Sequence, residues 1–239
     1  MIEELLPESV VAVESHGDDV AEGATLYPEE QALVARAVEK RRREFTIVRT
    51  CARRAMEKLG VTPGPVLPGE RGAPRWPAGV IGSMTHCDGY AAAALARSTD
   101  LASLGIDAEP HMALPDDVLE AVALPGERNR LDRLGARAPA VHWDRLLFSA
   151  KESVYKAWFP LTGAWLDFSE ADIDISLGPT PPGPVLSGSF RAQLLVPGPV
   201  VDGVRVPAFD GLWTVQHGLV ATAVTVPHTV AGRAEGTAD

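Results

Sequence analysis

The chain has 239 residues, with 22 Lys and Arg against 32 Asp and Glu, for a formal net charge of −10. That balance argues against a nucleic-acid binder and against a general membrane-surface binder. Hydrophobic residues make up 46%, ordinary for a globular domain, and the length suffices for one substantial core or two small ones. The charge is uneven: residues 1–35 hold nine acids and no Lys or Arg, 36–75 carry a net +7, and 76–239 carry −8. An acidic protein with one cationic stretch suits a small, highly anionic ligand better than a polyanion track. The longest apolar run, residues 90–96, is far too short to span a bilayer, and the first residues lack the cationic start of a secretion signal. Two cysteines, Cys51 and Cys87, make neither a disulfide framework nor a paired metal knuckle. A cytoplasmic protein without nucleic-acid or membrane partners is expected.

Residues 1–26 show no sustained periodicity. Pro28-Glu29-Glu30 reads as a helix start, with Pro in the first turn and acids at its positive end. From Phe45, Val48, Ala52, Met56 and Leu59 recur at helical spacing until Gly60 stops the helix. Arg42, Arg49 and Arg53 share one face of it, a pattern that a solvated surface explains equally well. Residues 60–78 are a Pro- and Gly-rich loop containing Gly69-Glu70-Arg71-Gly72. Residues 80–85 and 90–96 read as strands joined by the turn Cys87-Asp88-Gly89, and 101–109 as a third strand closed by Pro110. Residues 111–140 are expected to be loop with short helix, and 143–158 an amphipathic helix ended by Pro160. Strands are expected at 172–177, 189–196, 212–216 and 219–226, followed by a polar, frayed tail from His228.

The two halves echo one another. Phe45, Arg49 and Arg53 match Phe148, Glu152 and Lys156 in spacing, and the hairpin Ser83-Met84-Thr85-His86 with Gly89-Tyr90 resembles Thr214-Val215-Gln216-His217 with Gly218-Leu219. Two related halves would leave a cleft between them, cationic on one side and carrying Glu and Lys on the other.

Asp107 and Glu109 lie two apart at the end of an apolar strand, so both carboxylates point to one face. Such a pair is costly without a cation, and oxygen ligands favour Mg²⁺ or Mn²⁺ over zinc; a solvated strand end is the plainer reading. Glu152 and Lys156, four apart, suit a helix-surface ion pair. Their aromatic and apolar flanks require part of that helix to be buried, so Glu152 could instead supply a third carboxylate or take a proton, and Lys156 could neutralise a phosphate. His86, beside Arg49 and Arg71 in this reading, is a candidate phosphate contact. The chain contains no Gly-x-Ser-x-Gly elbow, no Gly-x-x-x-x-Gly-Lys-Ser/Thr loop and no Gly-x-Gly-x-x-Gly turn.

Residues 41–53 (RRREFTIVRTCAR), 76–90 (WPAGVIGSMTHCDGY), 105–110 (GIDAEP) and 143–163 (WDRLLFSAKESVYKAWFPLTG) together resemble the Sfp-type 4′-phosphopantetheinyl transferases, within them the enterobactin-synthase-associated branch found in actinobacteria. The resemblance implies an α+β fold of two similar subdomains in a pseudo-two-fold arrangement, here 1–110 and 111–239. It implies transfer of the phosphopantetheine arm of coenzyme A to a serine of acyl or peptidyl carrier proteins, with release of adenosine 3′,5′-bisphosphate, by a monomer. Arg41 and Arg49 would hold the nucleotide phosphates, with Gly69, Glu70 and Arg71 and the pair Thr85-His86 closing around them. Asp107, Glu109 and Glu152 would hold Mg²⁺ (or Mn²⁺) near the Ala108 carbonyl. Glu152 would deprotonate the serine, and Lys156 would stabilise the phosphate, with help from Lys151. Pro68 stands where close relatives often place Lys. Helical geometry aims Arg42 rather than Arg41 alongside Arg49, so the assignment calls for a break near residues 41–43. The segment 111–122, with Met112, Leu114 and Leu119, is the expected carrier-docking surface. A non-catalytic coenzyme A-binding regulator and a metal-dependent phosphohydrolase are the alternatives.

Overall fold

A computed structural model describes residues 1–17, 24–178 and 185–229. β1 (Val11–His16), α1 (Pro28–Val34), α2 (Glu39–Lys58), β2 (Val80–Cys87) and β3 (Tyr90–Arg97) make a first unit, with an antiparallel sheet in the order β1-β3-β2. β4 (Ser103–Pro110), α3 (Asp116–Val122), α4 (Pro125–Arg137), α5 (Trp143–Thr162), β5 (Ala171–Leu177) and β6 (Leu186–Leu194) follow. After the short ribbon β7 (Val200–Val201) and β8 (Val204–Arg205), β9 (Ala208–Gln216) and β10 (Leu219–Val226) complete a second antiparallel sheet, β4-β10-β9-β6-β5. The fold is α+β, as expected. No described helix is long and apolar enough to cross a membrane.

Each sheet carries one 20-residue helix, α2 on the first and α5 on the second. α2 buries Ile47, Val48, Cys51, Ala52, Ala55 and Met56 against Ala91, Ala93 and Leu95 of β3. The opposite face of β3 packs Tyr90, Ala92, Ala94 and Ala96 against Leu104, Ile106 and Ala108 of β4 and Leu219, Ala221 and Ala223 of β10. A strand buried on both faces reads as an unbroken apolar run, and the small alanines let the layers close. α5 packs on the other face of β4 and β10, so near that a Cβ on Gly105 would lie 2.0 Å from the Ser153 carbonyl oxygen.

The two sheets meet edge to edge. β2 and β4 are edge strands, and where a backbone ladder would run, hydroxyls of β2 accept from main-chain amides of β4. Ile106 N–H donates to Ser83 Oγ at 3.1 Å, and Ala108 N–H donates to Thr85 Oγ1 at 3.0 Å. On its other side β4 is fully laddered to β10, with Asp107 opposite Thr222. The division expected at 110 falls after β4, whose ladder lies with the second sheet.

A second device recurs. Glu30 and Glu127 are each the third residue of a helix that starts with Pro, and they are 0% and 1% exposed. Glu30 accepts from Tyr27 N, Val66 N and Arg53 of α2 at 2.9–3.0 Å. Glu127 accepts from Leu124 N and Ile173 N and pairs with Lys151 of α5 at 2.9 Å. Each staples a short helix to a long one and to a neighbouring segment.

Several elements depart from the sequence reading. β1 forms inside 1–26, because Ala12 and Val13 face different cores and erase the alternation. Residues 111–140 hold α3 and α4, the latter started by Pro125. Pro160 does not end α5, which runs to Thr162 and stops at Gly163 with φ +64°; a proline in the last turn costs one i→i−4 hydrogen bond, and the chain leaves the helix at the left-handed glycine. α2 is continuous through 41–43, so no break occurs there. His228 is anchored, bonding Asp202 and the Ser98 carbonyl at 2.9 Å; the rest of the expected frayed tail, 230–239, lies outside the described residues.

Gly105→Ala is expected to lose about 1–3 kcal/mol or more in urea unfolding, because backbone of α5 must move to admit the methyl. Lys151→Ala leaves Glu127 buried without its cation, and a loss of about 3–5 kcal/mol is expected by the same measurement.

Candidate active site

A cleft of about 540 Å³ opens between the two helix-on-sheet units. From α2 it takes Arg41, Phe45 and Arg49, from β2 His86, from the preceding loop Arg71, and from α5 Glu152, Tyr155, Lys156 and Phe159. Arg41, Phe45, Val48 and Arg49 recur at steps of four, three and one, a single stripe on a straight helix. The seven-residue step from Arg42 to Arg49 suggested the wrong neighbour: Arg42 turns outward to Glu39 and the Ala37 carbonyl. Arg53 is spent on Glu30 at 2.9 Å.

The cations are held in place by their surroundings. Arg49 donates Nε to the Val66 carbonyl at 3.0 Å and lies 4.1 Å from the centre of the Phe45 ring. Burial pulls its guanidinium down to about 10, still charged at neutral pH. Arg41 donates Nη1 to His86 Nε2 at 2.8 Å. The accepting imidazole is therefore neutral, with its proton on Nδ1; burial, then the Arg41 charge, holds its pKa below the usual histidine value. Arg71 sits at φ +51° in a turn closed by Gly69 N–H to the Ala73 carbonyl, and its guanidinium lies 5.7 Å from the Trp165 ring centre. Gly69 and Glu70 shape that turn and do not line the cleft.

Glu152 and Lys156 line the same cleft from α5, and Asp107 lies against Lys156. Lys156 Nζ donates to Asp107 Oδ1 at 2.7 Å and to the Ile106 carbonyl at 3.1 Å, so its partner is Asp107 rather than Glu152 one turn away. Thr85, buried at 3% exposure, donates to the same Oδ1 at 3.2 Å. Asp107 Oδ2 is buried with no hydrogen-bond partner among the described residues. Glu109 pairs through Oε2 with Arg145 at 3.0 Å; burial, then Asp107, still pushes its carboxyl up. Burial pushes Glu152 up as well, with Lys156 opposing and Asp107 adding. Burial, then Glu109 and Asp107, drives the Cys87 thiol up to about 12, so it is no thiolate nucleophile.

The three carboxylates are not gathered into a cage: among the described residues no three His, Cys, Asp or Glu side chains are placed to hold a metal ion. Ala108 is buried in the core between the sheets. Lys151 belongs elsewhere. Its amine is buried on the far side of α5 with Glu127 and the carbonyls of Phe168 and Ala171, so it cannot assist at the phosphate. Of the expected docking residues, Met112 is exposed, whereas Leu114 and Leu119 pack inward.

Two features escaped the sequence reading. Arg145 donates all three nitrogens, to Glu109 and to the carbonyls of Met112 and Ala113, and ties the segment after β4 to α5. Tyr155 stands 5.0 Å from Trp165 and 5.9 Å from Phe159 by ring centres, an aromatic shelf beside Glu152 and Lys156. Tyr155 was legible, three residues after Glu152; Trp165, beyond the helix end, had no spacing signal.

Comparison with known proteins agrees with this architecture. A model of the 4′-phosphopantetheinyl transferase N-terminal domain matches residues 29–96, and one of the 4′-phosphopantetheinyl transferase superfamily matches 103–194. The 4′-phosphopantetheinyl transferase Svp of Streptomyces mobaraensis is 55% identical, covering 100% of this chain and 94% of its own. Npt of Nocardia iowensis is 48% identical over 94% of this chain and 99% of its own, and PptT of Mycobacterium tuberculosis is 47% identical over 85% and 87%. The two family models span every residue of the cleft and the match to Svp runs the length of both sheets, and the chain belongs to the 4′-phosphopantetheinyl transferase superfamily.

Proposed function

We infer that the cleft binds coenzyme A and that the chain transfers its 4′-phosphopantetheine arm to a serine of apo acyl or peptidyl carrier proteins. The observation that carries this reading is the single cleft in which Arg41, Arg49, Arg71 and His86 face Glu152 and Lys156. Coenzyme A presents a pyrophosphate and a 3′-phosphate; four cationic or hydrogen-bonding side chains opposite a carboxylate and an ammonium suit a pyrophosphate bond under attack. The aromatic shelf of Tyr155, Phe159 and Trp165 offers an apolar wall for the uncharged pantetheine arm.

In the transfer, the serine oxygen bonds to the pantetheine-side phosphorus and the bond from that phosphorus to the bridging oxygen breaks. Adenosine 3′,5′-bisphosphate leaves with the electron pair. Glu152 takes the serine proton: its raised pKa makes it a stronger base than a solvated carboxylate. Lys156, held by Asp107 at 2.7 Å, places an ammonium where charge develops on the phosphoryl oxygens. Without an ion the three carboxylates form no cage, but their chemistry suits a hard divalent cation: the buried Asp107 Oδ2 has no donor among the described residues, and charges on Asp107 and Glu109 disfavour each other. Asp107, Glu109 and Glu152 would hold Mg²⁺ or Mn²⁺, which when bound supplies charge neutralisation at the pyrophosphate. Arg41, Arg49 and His86 are the nucleotide-phosphate contacts.

An apo carrier incubated with coenzyme A, Mg²⁺ and the protein is expected to gain one phosphopantetheine arm by mass spectrometry. No gain across fatty-acid, polyketide and peptide-synthetase carriers would refute the reading, and consumption of coenzyme A without a carrier would mark a hydrolase. Glu152→Gln is expected to lower kcat by about 10²–10⁴-fold while leaving the thermal melt near wild type.

The pH dependence follows from the same carboxylate. Glu152 works as the anion, so kcat/KM should fall as pH drops and Glu152 takes up a proton; burial raises that carboxyl's pKa, and a bound divalent cation would lower it. That acid limb should vanish from the residual activity of Glu152→Gln, whereas an unchanged limb would assign it to another group.

A further inference from the structure

Thr85 is the one side chain the family resemblance places at the nucleotide and the fold buries behind the cleft wall. Its hydroxyl is committed on both sides. It accepts from Ala108 N–H at 3.0 Å and donates to Asp107 Oδ1 at 3.2 Å. A hydroxyl has one proton, and the amide of β4 supplies its own, so the hydroxyl's proton is directed at the carboxylate. With Lys156 at 2.7 Å, Asp107 Oδ1 then has two donors, while Oδ2 has none among the described residues. Leaving a buried carboxylate oxygen bare costs free energy, and the arrangement persists only because β2, β4 and α5 together over-determine it.

Ser83 shows that the seam itself does not require this. It sits two residues earlier on β2 and accepts from Ile106 N–H at 3.1 Å, and none of its described bonds reaches Asp107. Joining the sheets needs an acceptor for each β4 amide; Thr85 provides that and fixes the plane of a carboxylate as well.

We propose that Thr85 is a positioning residue, which holds Asp107 with one oxygen bare for a hard divalent cation and does not itself touch the nucleotide. The role rests on the transferase reading above, in which Asp107 is a metal ligand.

The test is Mn²⁺ binding to the full chain in the presence of coenzyme A, followed by the electron paramagnetic resonance of free Mn²⁺. Coenzyme A binding in EDTA is measured separately by calorimetry. Thr85→Val keeps the shape and loses both bonds; Thr85→Ala serves if the valine variant fails to fold; Thr85→Ser keeps the hydroxyl. Mn²⁺ affinity should fall about tenfold or more in Thr85→Val and Thr85→Ala and stay within about threefold in Thr85→Ser and Ser83→Ala. Coenzyme A affinity in EDTA should be unchanged in the Thr85 variants. An equal loss of Mn²⁺ affinity in Ser83→Ala would reduce the effect to the seam, and a loss of coenzyme A affinity in EDTA would make Thr85 a direct contact; either overturns the proposal. Asp107→Asn separates the two levels. Wild-type Mn²⁺ affinity in that variant removes Asp107 from the metal site and overturns both readings, whereas weakened affinity there with wild-type affinity in Thr85→Val overturns the positioning role alone.

Discussion

The arrangement turns on Asp107 and the two groups that grip one of its oxygens, Thr85 from β2 and Lys156 from α5. The three residues come from an edge strand of the first sheet, an edge strand of the second, and the helix that covers the second. Their contact requires those elements to be close at one point. Gly105 lets α5 approach β4, the alanines of β3 let the sheets close over a thin core, and the hydroxyls of Ser83 and Thr85 satisfy amides that would otherwise be buried without partners. A side-chain seam also joins two edges without a continuous ladder, so each sheet keeps its own twist.

The cleft is a consequence of that seam. α2 and α5 lie on different sheets, and where β2 meets β4 they face each other with opposite endowments. α2 brings arginines that are fixed in place: Arg49 by Phe45 and the Val66 carbonyl, Arg41 by His86. α5 brings Glu152 and Lys156. Pre-placed cations lose little conformational freedom when an anion arrives, which favours binding of a compact polyphosphate over loose surface attraction. The net charge of −10 hides this division, since the +7 stretch supplies the arginines while Glu152 faces them across the cleft and the acids of β4 lie outside its lining.

Much of this was legible from spacing. Gly105 through Glu109 put two carboxylates on one strand face, and the run from Phe148 to Trp158 put Glu152 and Lys156 on a partly buried helix. What spacing missed had physical reasons. β1 has a different core on each face and so no alternation. Pro160 reads as a stop only if its position in the last turn is ignored. A seven-residue step favours Arg42 beside Arg49, whereas the cleft takes the wider stripe of Arg41, Phe45 and Arg49, and Arg42 turns outward to Glu39. Arg145 meets Glu109 across 36 residues of chain, a pairing set by tertiary structure alone.

Buried acids are the harder case, and hydrogen bonding separates them. Glu30 and Glu127 are as deeply buried as Asp107, yet both oxygens of each accept donors: Val66 N on one side with Tyr27 N and Arg53 on the other for Glu30, Ile173 N on one side with Leu124 N and Lys151 on the other for Glu127. Nothing further can bind there without breaking the staple. Asp107 keeps a bare oxygen, and Glu152 makes no hydrogen bond or ion pair among the described residues. The sequence offers no such distinction, since Pro-x-Glu and Asp-x-Glu are equally short patterns of acids. Lys151 and Lys156 divide in the same way, five residues apart on one helix. The first has its charge consumed by Glu127 and two carbonyls, whereas the second, tethered to Asp107 and the Ile106 carbonyl, still lines the cleft. Among the buried acids, the oxygen that the scaffold leaves unsatisfied is the one beside the cleft lysine.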